Sequence, residues 1–132
     1  MKNARILLVE DDKFLRRACE VSLQKRGFTV LTAVDGEDGL RQAREGAPNL
    51  ILLDMLMPKL SGIETLEALK KDEQTRRIPV VILSNSSIDA KVQKAKALGA
   101  IGYLVKASLS LQELGDKVLC YLEESGQKVE PK

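Results

Sequence analysis

The chain predicts an α/β fold, a doubly wound parallel sheet of five strands, and three features of its sequence carry that prediction. First, short apolar runs recur without alternation: Ile6-Leu7-Leu8-Val9, Leu50-Ile51-Leu52-Leu53, Val80-Val81-Ile82-Leu83 and Tyr103-Leu104-Val105. Continuous runs of this kind suit strands covered on both faces, as in parallel sheets. Second, the segments between them carry apolar residues at helical spacing, so strand and helix alternate and right-handed crossovers build the sheet. Third, each strong run leads into a polar residue: Asp11, Asp54, Ser84 and Lys106. Parallel strands bring these four to one sheet edge, where open α/β sheets bind ligands and do chemistry.

In chain order, Ile6 to Val9 is the first strand. Phe14, Leu15, Ala18, Cys19 and Ser22 then share a helix face, and Gly27 supplies the stop. Thr29 to Ala33 is a second, weaker strand. Asp35 caps a helix that runs through Arg44 and is ended by Gly46 and Pro48. After the third strand, Pro58 and Gly62 mark a loop before a helix carrying Ile63, Leu66 and Leu69. Pro79 opens the fourth strand, and Ile88, Val92, Ala95 and Leu98 stripe the next helix as far as Gly99. The last helix starts near Ser110 and buries Leu111, Leu114, Val118, Tyr121 and Leu122. No repeat or change of composition interrupts this pattern, so residues 1–124 are predicted to form one domain and 125–132 a polar C-terminal tail.

Composition excludes more than it selects. A chain of 132 residues is the size of one domain with a real core. No apolar run approaches the roughly 18 residues of a membrane span, and no signal peptide precedes the first strand, which predicts a cytoplasmic protein without a membrane partner. The net charge of +2 is too small to argue for direct nucleic-acid binding. There is no histidine, which removes Ser-His-Asp chemistry and histidine-containing metal sites. Cys19 and Cys120 form neither a zinc motif nor a C-x-x-C pair. Aromatics at 3% argue against stacking platforms. The chemistry is left to carboxylates, hydroxyls and lysine.

Four segments stand in order at the strand ends: Ile6-Leu-Leu-Val-Glu-Asp-Asp12, Leu50-Ile-Leu-Leu-Asp-Met-Leu-Met-Pro58 with Ser61-Gly62, Val80-Val-Ile-Leu-Ser84, and Gly102-Tyr-Leu-Val-Lys106. Together they resemble the receiver domain of two-component response regulators, over nearly the whole chain. The resemblance implies a flavodoxin-like (βα)5 fold with strand order 2-1-3-4-5. It implies Asp54 as phosphoacceptor, its carboxylate attacking a phosphoryl group to form an acyl phosphate. It implies Mg²⁺ held by Asp11 directly, by Glu10 through water, by Asp54, and by the backbone carbonyl of Leu56. Lys106 would pair with the developing phosphoryl charge and Ser84 would donate its hydroxyl. Ser84 and Tyr103 would form the switch that reshapes the face built from the fourth helix, fifth strand and fifth helix.

The implied partners are a histidine kinase or phosphotransfer domain upstream and a downstream protein read by that face, the regulator itself being a monomer or a phosphorylation-linked homodimer. The family's usual proline after the lysine is replaced by Ala107, so a cis X-Pro bond there is excluded. Leu56, Asn85 and Ser86 would line the water route to the acyl phosphate, and a leucine cannot orient water, which predicts a long-lived phosphoryl state.

Taken singly, each residue has a plainer reading. Glu10, Asp11 and Asp12 equally suit the opening of a helix, where acids favour the dipole. Asp54 alone suits a strand-end turn, Ser84 a loop hydroxyl, Lys106 a solvated lysine and Tyr103 a core aromatic with a wet hydroxyl. Leu56, Asn85 and Ser86 suit ordinary loop positions. Lys91, Lys94 and Lys96 suit a solvated helix face, Cys19 an inert core thiol, and Cys120 an exposed position opposite its helix's apolar stripe. Convergence at four strand ends outweighs the single readings.

The chain ends soon after the last helix, which predicts action by protein contact rather than through an appended output domain. The competing functions are a phosphorylation-independent interaction module and an aspartate-nucleophile phosphatase. The first would usually lack an acid or the lysine. The second generally carries another Asp two residues after the nucleophile, where Leu56 stands. A flavodoxin-like redox protein would need a hydroxyl-rich phosphate loop after the first strand, and none is there.

Overall fold

A computed structural model describes residues 4–55, 60–84 and 90–124, with Ala90 and Lys91 described by their backbone. The elements run β1 (Arg5–Val9), α1 (Lys13–Lys25), β2 (Thr29–Ala33), α2 (Gly36–Gly46), β3 (Leu50–Asp54), α3 (Gly62–Lys71), β4 (Val80–Ser84), α4 (Ala90–Ala97), β5 (Gly102–Val105) and α5 (Leu111–Glu124), with a 3-10 turn at Lys106–Ser108. The five strands form one all-parallel sheet in the order β2-β1-β3-β4-β5. The predicted fold class and strand order are both observed.

The apolar runs are continuous because the central strands are covered on both sides. Every residue of β3 and β4 is buried. Successive side chains divide between two cores, as the period of two in a strand requires. Ile6, Leu8, Leu50, Leu52, Val81 and Leu83 pack with Cys19 and Leu23 of α1 and Leu114, Val118 and Leu122 of α5. Leu7, Val9, Ile51, Leu53, Val80 and Ile82 pack on the opposite face with Ala43 of α2, Leu66 and Leu69 of α3 and Ala95 of α4. β2 reads weaker in sequence because it is an edge strand with only Ala33 fully buried.

Local chemistry sets the helix ends. Asp12 caps α1, and the Asp35 carboxylate accepts from the Asp38 amide at the start of α2. Ser61 and Glu64 form a reciprocal capping box on α3, and Ser110 with Glu113 exchange the same pair of bonds at the start of α5. Gly27 and Gly99 take the positive φ angles that end α1 and α4.

Three expectations are corrected. Phe14, expected on the apolar face of α1, is 83% exposed. The stripe is Leu15, Cys19 and Leu23 at i, i+4, i+8, and Phe14 lies about 140° from its central residue. Leu111 begins the last stripe yet is 42% exposed, because it sits at the open first turn of α5. The α2 helix continues past Arg44 to Gly46, and the left-handed residue that ends it is Ala47, with φ of 45°. A Cβ on Gly46 would meet only the flexible tip of the Leu31 side chain. Pro58, Ile88, Leu56, Asn85, Ser86 and the 125–132 tail lie outside the described residues.

Candidate phosphoryl-transfer site

The carboxyl ends of β1 and β3 lie side by side where the strand order reverses, with Val9 paired to Leu53. That reversal is the topological switch point of a doubly wound sheet, and it opens a crevice beyond the strand ends. Asp54 is the last residue of β3 and Ser84 the last of β4, with Leu83 beside Asp54 in register. Lys106 follows β5 directly. The sheet therefore gathers onto one edge four groups that are far apart in sequence.

The acid run Glu10-Asp11-Asp12 divides its labour. Asp12 alone takes the helix-capping role, its Oδ1 accepting from the amides of Phe14 at 2.9 Å and Leu15 at 3.1 Å. Glu10 extends the sheet by one bond, its amide donating to the Ala33 carbonyl at 3.1 Å. The Glu10 side chain turns inward, wholly buried, and its Oε2 accepts from the Asp12 amide at 3.1 Å. Asp11 stays exposed above it. Carboxylate oxygens of Glu10, Asp11 and Asp54 all lie within 4.8 Å of one another. Three oxygen ligands so close, one of them open to water, fit a hard divalent cation that keeps part of its hydration shell, as Mg²⁺ does.

Lys106 faces two of these acids. Its Nζ lies 2.8 Å from Asp54 Oδ1 and 3.0 Å from Glu10 Oε1, and both acids are at most 2% exposed. Burial raises the Glu10 carboxyl, and the nearby Asp54 charge raises it further. The Asp12 amide and Lys106 oppose this, and the result is a pKa of about 7. Burial by itself would lower the Lys106 ammonium, but its hydrogen bonds to Asp54 and Glu10 outweigh that and hold it above its ordinary value. The site is thus an acidic pocket with a fixed cation on its inner wall.

Ser84 is buried at the end of β4. Tyr103 lies on β5, half-buried against the core beneath α2, α3 and α4, with the Lys96 ammonium 4.8 Å from its ring centre. Tyr103 also lines a groove of about 330 Å³ on the α4–β5–α5 face, shared with Lys117, Tyr121 and the exposed Cys120. Lys94 and Lys96 are exposed, and Cys19 is a buried thiol pushed up to about 11, chiefly by burial.

Two residues at the site go beyond the sequence reading. Gly62, read there as a loop marker, packs on the end of β3: a Cβ would fall 2.6 Å from the Asp54 carbonyl oxygen, and its amide donates to the Met55 carbonyl at 3.2 Å. Arg16, which the sequence reading passed over, reaches back from α1 to the carbonyls of Glu10 and Asp11. No local signal distinguishes it from its neighbour Arg17, which forms an ordinary surface pair with Glu20.

Comparison with known proteins accounts for the arrangement. The family model of the response regulator receiver domain matches residues 6–119. The transcriptional regulatory protein AfsQ1 of Streptomyces coelicolor is 39% identical over 76% of this chain, which spans 44% of that protein, somewhat under half its length. The chemotaxis protein CheY4 of Vibrio cholerae superposes with a TM-score of 0.83 at 32% identity, over 91% of this chain and 98% of that one. The receiver domain of the sensor histidine kinase PA1611 from Pseudomonas aeruginosa, with a magnesium ion coordinated in its active-site cleft, superposes with a TM-score of 0.83 at 26% identity. That match covers 92% of this chain and 98% of the PA1611 domain. Among the described residues no helix is long and apolar enough to cross a membrane. In sequence, strand order and the acidic pocket at the switch point, this chain belongs to the receiver domains of two-component response regulators.

Proposed function

We propose that this domain is a phosphoacceptor switch, in which Asp54 receives a phosphoryl group from a histidine kinase or phosphotransfer domain. The observation that carries the reading is the Lys106 ammonium held 2.8 Å from a buried carboxylate at the sheet's switch point. In the transfer, an Asp54 oxygen forms a bond to phosphorus as the bond to the donor's leaving atom breaks, and that atom keeps the electron pair. Two anions approach in this step, so fixed positive charge is what the site must supply.

Lys106 supplies one such charge, already oriented by Asp54 and Glu10. Glu10, Asp11 and Asp54, with the Leu56 carbonyl implied by family resemblance, would hold Mg²⁺, which when bound neutralises phosphoryl oxygen charge. Ser84, buried at the end of β4, would donate its hydroxyl to a phosphoryl oxygen. Its movement toward the phosphate, followed by inward rotation of Tyr103, would alter the α4–β5–α5 face on which the groove opens, and a downstream protein would read that change. The domain assists its own phosphorylation and dephosphorylation and turns over no other substrate.

Acetyl phosphate with Mg²⁺, read by intact mass, tests the proposal. The wild type is expected to gain one phosphoryl group only with Mg²⁺ present, and Asp54→Asn to gain none. Absence of an adduct on folded wild-type protein at saturating Mg²⁺ would favour the phosphorylation-independent module. The decay of the adduct measures the lifetime that Leu56 is expected to prolong.

A further inference from the structure

The Glu10-Asp11-Asp12 turn leaves β1 and enters α1, so its first two carbonyls stand between a ladder that has ended and a helix that has not begun. Such groups need partners from elsewhere. Arg16 provides one: its Nη1 donates to the Glu10 carbonyl at 2.8 Å and, more weakly, to the Asp11 carbonyl at 3.4 Å. Its own amide donates to the Asp12 carbonyl at 2.8 Å, so a single residue engages all three carbonyls of the turn.

We propose that Arg16 is a positioning residue of the metal site: its half-buried guanidinium fixes the backbone of the Glu10–Asp11 turn so that both carboxylates face Asp54. The inference rests on the Mg²⁺ reading above. Its two acids do not depend on Arg16 equally. The Glu10 side chain is already held by Lys106 and by the Asp12 amide. Asp11 is exposed, and the backbone clamp is what sets its direction. A planar guanidinium suits this task, because it presents several donors in a fixed fork where an ammonium presents a point charge.

The consequence is ion-specific. Mg²⁺ demands near-ideal octahedral geometry, whereas Ca²⁺ accepts longer and less regular coordination. Loosening the turn should therefore penalise Mg²⁺ more than Ca²⁺, while a mere loss of nearby positive charge or of folded protein would act on both alike.

The test is titration of wild type, Arg16→Gln and Arg16→Lys with Mg²⁺ and with Ca²⁺, followed by backbone amide shifts that report folding in the same spectra. Arg16→Gln is expected to weaken Mg²⁺ about tenfold, within the range for groups that orient metal ligands, and Ca²⁺ less than threefold. Arg16→Lys should fall between wild type and Arg16→Gln for Mg²⁺ and match wild type for Ca²⁺. If Arg16→Gln does not fold, the Mg²⁺-to-Ca²⁺ ratio of Arg16→Lys decides. Unchanged Mg²⁺ affinity in the variants, or parallel loss of both ions, would overturn the positioning role while leaving the metal site intact. A wild type that binds no Mg²⁺ would overturn the metal site itself and this inference with it.

Discussion

Two lysines in this domain are comparably enclosed and respond to it in opposite ways. Lys70, on α3, donates to the carbonyls of Arg76 at 3.2 Å and Ile78 at 3.1 Å in the loop before β4. Burial pushes its ammonium below the ordinary value. Lys106, at the end of β5, meets the same burial, yet its bonds to Asp54 and Glu10 hold it above the ordinary value. Neutral carbonyls satisfy hydrogen bonds but do not replace the solvation a charge has lost, whereas ionised carboxylates do. The first lysine pins a loop. The second holds a cation against two buried acids.

The comparison is broken most forcefully by removing each charge in turn. Lys106→Met should slow phosphorylation by acetyl phosphate by about 10²–10³-fold, the usual loss for one preorganised charge-stabilising donor, while Lys70→Met leaves the rate unchanged. Equal rates in the two variants, measured by intact mass against time, would sink the distinction.

Stability should separate them next. Lys106→Met leaves Glu10 and Asp54 facing each other without a cation, a loss of about 3 kcal/mol at pH 8. The loss should shrink at pH 5, where Glu10 takes up a proton, and urea unfolding at the two pH values would show it.

Glu10 then sharpens the account of the pocket itself. A carboxyl raised from 4.5 to about 7 contributes stability that is fully present below pH 4.5 and is lost as the pH rises through about 7. Metal-free protein should thus gain stability from this group on acidification from pH 8 to pH 5, and Glu10→Gln should remove that slope. The same proton competes with Mg²⁺, so affinity should be about tenfold weaker at pH 6 than at pH 8, as amide-shift titration would report. The smallest expected effect is that of Lys70→Met on stability, about 1 kcal/mol from the loss of two bonds to loop carbonyls. A thermal melt showing a loss as large as that of Lys106→Met would erase the contrast.

Much of the fold was legible because burial on both faces of a sheet writes itself as unbroken apolar runs, and caps such as Asp35 and Ser110 act within a few residues. The candidate site was legible in outline, since a parallel sheet places every strand end on one edge. Phe14 misled because positions 14 and 15 compete for one helical stripe, and only the packing of Leu15, Cys19 and Leu23 on the sheet settles which wins. Ala47 misled because Gly46 beside it looked like the helix stop, whereas the left-handed turn falls one residue later.

By itself, then, the chain's order of residues determined the β-α alternation, the sidedness of the cores and the identity of the polar groups at the strand ends. Those follow from local periods and from chain direction. Tertiary structure alone decided that Asp12 caps a helix while Glu10 turns inward, that Lys106 stands between two buried acids, and that Arg16 reaches back to the turn before its own helix. These depend on strand register and on how deeply each charge is buried, and both are properties of segments distant in sequence brought into contact.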